Sequence, residues 1–84
     1  MVVDVYVKPE PKKKSEECRQ CIMTEKIMVD KDVEYNRHVI TDADAEKFRG
    51  MGLMSAPVVL VHTDGELTDS WAGFRPDKIG GLLA

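Results

Sequence analysis

Cysteine is scarce in this 84-residue chain: there are two, Cys18 and Cys21, three positions apart. A bridge closing so short a loop constrains the unfolded chain little, so a structural staple is a poor reading of the pair. Also absent is any apolar run long enough to span a bilayer, or a charged segment leading into a hydrophobic stretch as a signal peptide would have. Met1-Val2-Val3-Asp4 opens a strand instead. There is no surplus of positive charge: 12 Lys and Arg against 15 Asp and Glu leave a net −3, which gives no drive toward nucleic acid or a membrane surface. Internal repeats, low-complexity tracts and composition shifts marking a second domain are likewise missing. These absences predict one small cytoplasmic domain over residues 1–84, acting as a monomer. In a reducing compartment a close cysteine pair points to catalysis or metal binding.

What is present supports a modest core, with 43% hydrophobic and 32% charged residues. Val2 to Val7 is apolar and β-branched apart from Asp4 and Tyr6, and Pro9 stops it, as expected of a buried strand. Residues 10–17 are polar and carry Lys12-Lys13-Lys14, a loop. A helix follows the cysteines to about Val29, with Ile22, Met28 and Val29 expected on one face and Ile27 paired with Met23. Val33 to Ile40 alternates loosely, as an edge strand does. Thr41 or Asp42 caps a second helix holding Ala45, Phe48 and Met51 and ending at Gly50-Met51-Gly52. Val58-Val59-Leu60-Val61 has the continuous apolar character of a central strand. Asp64-Gly65 is a hairpin turn signal, with Leu67 to Trp71 returning. Pro76 fits the first turn of a last helix through Ile79, Leu82 and Leu83. Met23, Met28, Met51 and Met54 read as core fillers.

The order is β-α-β-α-β-β-α, and the pair stands at the start of the first helix of a βαβ unit. That placement is the signature of a thioredoxin-like fold: α/β, a four-stranded mixed sheet flanked by three helices. At this spacing on the first helical turn both sulfurs lie on one side of the axis and can meet. Two other readings remain open. Both cysteines can be small buried hydrophobes. A zinc site needs about four ligands, and His38 and His62, the remaining candidates, match no finger spacing.

Four segments, in this order, resemble the glutaredoxin-like NrdH-redoxins: Val5-Tyr6-Val7-Lys8-Pro9, Cys18-Arg19-Gln20-Cys21, Ser55-Ala56-Pro57-Val58-Val59, and Trp71-Ala72-Gly73-Phe74-Arg75-Pro76-Asp77-Lys78-Ile79. The last is the most specific. The resemblance implies dithiol–disulfide exchange by a redox-active Cys18–Cys21 disulfide with no bound cofactor, electron delivery to a ribonucleotide reductase, and recharging by thioredoxin reductase, so that NADPH enters only through the reductase. It implies a cis Pro57 against the cysteines, Ala56 offering backbone to a bound peptide beside Arg19 and Gln20, and a hydrogen-bonded structural or docking segment at Trp71, Gly73, Phe74 and Arg75. It also implies no tandem Gly-Gly and Asp-Asp glutathione site: Gly73-Phe74-Arg75-Pro76 occupies that stretch, and Gly80-Gly81 falls later. The chain departs from the family pattern at one place, where residues 10–17 separate Pro9 from Cys18.

The chemistry of such a site requires a thiolate. A helix N-terminus favours the anion, which assigns Cys18 as attacking nucleophile and Cys21 as the resolving cysteine. The loop lysines favour the anion further, and Glu16 and Glu17 oppose it. A glutathione-dependent glutaredoxin and a non-catalytic partner-binding domain are the alternative functions. Docking of a partner on Lys12 to Lys14 is a further expectation.

Overall fold

Period-two burial organises the sheet. Val3, Val5 and Val7 point to one face and are almost fully buried, while Tyr6 points to the other. The computed structural model describes residues 1–9, 13 and 17–82. Among these the elements are β1 (Val2–Val7), α1 (Arg19–Asp30), β2 (Asn36–Val39), α2 (Asp42–Gly50), β3 (Val58–Thr63), β4 (Glu66–Ala72) and α3 (Pro76–Gly81), the order inferred from the sequence. The strands form one sheet in the order β2-β1-β3-β4. β1 and β2 are parallel, as a helical crossover demands, and the β1–β3 and β3–β4 pairs are antiparallel.

β3 lies inside the sheet and is covered on both faces, which is why its sequence is continuously apolar. Val59 and Val61 join the β1 valines, Cys21, Met28, Trp71 and Ile79 in the core on the α1 and α3 side. Val58 and Leu60 pack with Phe48 of α2 on the opposite side, flanked by Tyr6, Ile40, Leu53 and Ala72. Asp64 and Gly65 both have positive φ, 53° and 83°, which lets a tight turn follow the twist of β3 and β4. α2 begins with a reciprocal capping box between Thr41 and Asp44, each bond 3.1 Å.

Three expectations are corrected. The buried face of α1 is Cys21, Thr24 and Met28, with Ile27 packed beside it; Ile22 and Val29 are 50% and 65% exposed. Of the methionines read as core fillers only Met28 is buried, and Met23, Met51 and Met54 are exposed. The second strand is shorter than residues 33–40. Val33 is buried, but its N–H donates to the Met28 carbonyl at 2.8 Å, so it closes the end of α1 instead of joining the ladder. Leu83, placed in the last helix from sequence, lies outside the described residues.

Candidate active site

The first cysteine has an extended backbone and the second begins the buried stripe of a helix. Cys18 is the N-cap of α1, with φ −78° and ψ 93°. Its Sγ accepts the backbone N–H of Cys21 at 3.2 Å. Cys18 and Cys21 are joined as a disulfide, with their Cα atoms 5.3 Å apart. The two sulfurs differ in access. Cys21 is buried at 4% exposure, whereas Cys18 is half-buried and opens onto a surface cleft. The amides of the first turn have no helical partner of their own, so a thiolate at Cys18 gains a charge-assisted version of the bond already formed by its sulfur. The first turn of α1 carries no acidic side chain to oppose that charge.

Pro57 stands behind this edge of the site. The Ala56–Pro57 peptide is cis, and Pro57 is fully buried. The Ala56 carbonyl oxygen lies 3.9 Å from Cys18 Sγ, a packing contact while the sulfur is in a disulfide and has no proton to donate. The Pro57 carbonyl accepts the N–H of Gly73 at 2.8 Å. The next amide, of Phe74, donates to Gln20 Oε1 at 3.1 Å. Gly73 has φ +82°, and a Cβ there would come within 3.0 Å of Gln20 Oε1, so a side chain is opposed by both backbone conformation and space. The turn between β4 and α3 is thereby fastened to the proline and to Gln20, one of the two residues between the cysteines.

The residues singled out from sequence are distributed as follows. Cys18, Arg19, Gln20 and Ala56 line one cleft of about 530 Å³, together with Lys8, Glu17, Met54 and Ser55. Gly73 and Phe74 reach it through their bonds to Pro57 and Gln20. Trp71 belongs to the core, with its indole N–H unpaired among the described residues. Arg75 does not line the cleft and pairs with Asp77 at 3.0 Å. That hydrogen bond holds the exposed Asp77 carboxyl below its ordinary range and raises Arg75. Most of the loop at residues 10–17, including Lys12, Lys14 and Glu16, lies outside the described residues, and with it the docking expectation placed there. Lys13 and Glu17 are described and exposed.

Met54 is the residue whose position the sequence reading missed. It is 77% exposed and lines both the cysteine cleft and an adjoining apolar cleft of about 290 Å³ floored by Ile40, Phe48 and Leu53. The available signal was its place in the loop before Ala56-Pro57, where a side chain faces the cleft rather than the core. Among the described residues no three His, Cys, Asp or Glu side chains converge as a metal site. His38 instead sits 2.8 Å from Asp4 Oδ1 and stacks on Tyr6 with ring centroids 4.6 Å apart. Partial burial, then Asp4 and Asp44, raises the Tyr6 phenol above its ordinary value. No helix among the described residues is long and apolar enough to cross a membrane.

The chain as a whole is similar to known proteins in sequence and in shape. The chain is 38% identical over 68 residues, 77% of its length and 76% of the relative's, to the glutaredoxin-like protein NrdH of Salmonella typhimurium strain LT2. It superposes with TM-score 0.76 and 28% identity on NrdH-redoxin from Escherichia coli, a glutaredoxin-like protein with a thioredoxin-like activity profile, covering 98% of this chain and 95% of that one. The thioredoxin-like protein BC3987 follows with TM-score 0.66 and 26% identity, covering 98% of this chain and 99% of that one. A Malassezia sympodialis thioredoxin shares the fold at TM-score 0.61 and 16% identity, over 98% of this chain and 70% of that one. No protein-family model matches the sequence.

Proposed function

Because the chain belongs to the family of NrdH glutaredoxin-like proteins, and is on that ground a thiol–disulfide oxidoreductase, we propose that it carries electrons to a ribonucleotide reductase and is recharged by thioredoxin reductase at the expense of NADPH. The observation that carries the chemistry is the asymmetry of one disulfide: a half-exposed Cys18 at a helix N-cap joined to a buried Cys21 one turn on.

In the reduced protein the Cys18 thiolate attacks a substrate disulfide. A bond forms between Cys18 Sγ and one substrate sulfur, and the other leaves as a thiolate that takes up a proton. Cys21 then loses its thiol proton and attacks Cys18. The Cys18–Cys21 bond closes and the second substrate sulfur departs as a thiol. Two electrons pass to the substrate, and the two cysteine thiols become the disulfide seen here. Ala56 offers backbone beside Cys18 for an extended peptide, and Arg19 and Gln20 border the same cleft. Gly73 and Phe74 brace the site from behind through direct backbone bonds to Pro57 and Gln20, while Trp71 packs in the core and Arg75 pairs with Asp77, which gives these two a structural part.

Reduction by thioredoxin reductase, as opposed to glutathione, is supported by the stretch Gly73-Phe74-Arg75-Pro76. Its Gly73 and Phe74 amides are already engaged inside the protein. The test is NADPH oxidation with insulin as the disulfide acceptor. Turnover is expected with thioredoxin reductase and is expected to be slight with glutathione and glutathione reductase. Turnover with glutathione alone would replace this reading with that of a glutaredoxin.

A further inference from the structure

The only buried polar residue in the described core is Thr24, at 0% exposure, and its hydroxyl has no hydrogen-bond partner among the described residues. A helical threonine ordinarily returns its hydroxyl to the carbonyl one turn back. Thr24 does not, and a buried hydroxyl left unpaired is costly. Its position relative to the redox pair is specific. Thr24 follows Cys21 by three residues on the same buried face of α1. That spacing puts Cβ atoms about 5–6 Å apart, and side chains on a helix lean toward its N-terminus, here toward Cys21. In the disulfide form the hydroxyl makes no bond to the Cys21 sulfur, which is held toward Cys18. Reduction releases that sulfur.

We propose that Thr24 is a positioning residue for the buried thiol: its hydroxyl, unpartnered in the disulfide form, bonds Cys21 Sγ once the disulfide opens. A hydroxyl rotates, so it accepts the S–H of the thiol and donates to the sulfur as the thiolate develops. The same contact therefore serves both the reduced state and the resolving step, in which the Cys21 proton leaves and its sulfur attacks Cys18. It stabilises the dithiol relative to the disulfide and makes the protein a weaker reductant than its fold alone would be. The inference rests on the assignment of Cys21 as the resolving cysteine. The other unpaired buried polar atom, the Trp71 indole nitrogen, lies on β4 and lacks this shared helix face.

The experiment equilibrates the full chain with dithiothreitol at set ratios of dithiol to disulfide and reads the oxidised fraction of the redoxin. Thr24→Val, which removes the hydroxyl and keeps the shape, is expected to shift the equilibrium toward the disulfide by about three- to tenfold, tenfold being about 30 mV for a two-electron couple. Thr24→Ser is expected to restore the wild-type equilibrium. The urea midpoint of the oxidised Val variant should match or exceed wild type, because an unpaired polar group has been removed. An equal equilibrium in Thr24→Val and wild type overturns the proposal, as does an equal shift in the Val and Ser variants, which would assign the effect to packing or to an internal water. Insulin reduction by the wild type, run alongside, separates the two levels. Its loss would sink the exchange function itself, whereas intact turnover with an unmoved equilibrium sinks only the role of Thr24.

Discussion

The side-chain carbonyl of Gln20, between the two cysteines, accepts the backbone N–H of Phe74 at 3.1 Å across 54 residues of sequence. This bond and the 2.8 Å bond from Gly73 to Pro57 tie the turn between β4 and α3 to α1 and to the cis proline. Replacing Gln20 with Ala removes the acceptor. Because Phe74 N–H lies near the surface and can turn to water, the loss should be about 0.5–1 kcal/mol, read as a lower urea midpoint of the oxidised protein. An unchanged midpoint would mean that the bond contributes nothing.

Gly73→Ala should cost more, about 1–3 kcal/mol, since it places a Cβ at φ +82° and within 3.0 Å of Gln20 Oε1. Part of that cost is a clash with Gln20 and part is backbone. In a Gln20→Ala background the same change should therefore cost measurably less. Strict additivity of the two substitutions would show that the clash is relieved without effect and that only the backbone matters.

Much of this site is legible in the sequence because its determinants are local. The Cys18–Cys21 spacing, the helix start and the order of elements each follow from neighbours in the chain. The rotation of α1 about its axis does not. Hydropathy favours burying Ile22 and Val29, yet these are exposed and Thr24 is fully buried. The helix is phased by Cys21, which must turn inward for Cys18 to remain at the surface, and successive residues step by about 100° from there. Thr24 and Met28 fall close to the direction of Cys21, whereas Ile22 and Val29 fall well to one side. The exposure of Met54 is hidden from the sequence for a related reason: it depends on where the Ala56–Pro57 segment meets Cys18, a contact between distant parts of the chain. The pairing of Gln20 with Phe74 has no sequence signal at all beyond the family resemblance.

Helix α2 supports the apolar cleft from below through Phe48. Its capping box is remote from the thiols, so Thr41→Ala should lower stability by about 1 kcal/mol and leave insulin turnover unaltered at temperatures where the protein is folded. A fall in turnover at equal folded fraction would contradict that separation.

Tyr35 connects the segment before β2 to α1. Its hydroxyl donates to Glu25 Oε1 at 3.0 Å, and the same oxygen pairs with Arg37 at 2.9 Å. Burial first, then the bond and charge of Glu25, raises the phenol above its ordinary value, against a smaller opposing effect of Arg37. The fold thus favours the neutral phenol. Its contribution is whole below the unfolded value of about 10 and is lost as pH rises through the higher folded value. Stability should fall in that alkaline window, and Tyr35→Phe should flatten the fall while Tyr6, also raised, preserves part of it. Urea midpoints across that range check this, and an identical alkaline slope in the variant would contradict it.

The division of labour between the cysteines is tested most directly by trapping. Cys21→Ser and Cys18→Ser are each incubated with a disulfide-bonded peptide, and the adducts are located by mass mapping. Cys21→Ser should accumulate a mixed disulfide at Cys18, because attack proceeds and resolution cannot. Cys18→Ser should form almost none, its remaining thiol being buried at 4% exposure. An adduct on Cys21 forming as fast in Cys18→Ser as the adduct on Cys18 does in Cys21→Ser would contradict the assignment of Cys18 as the nucleophile.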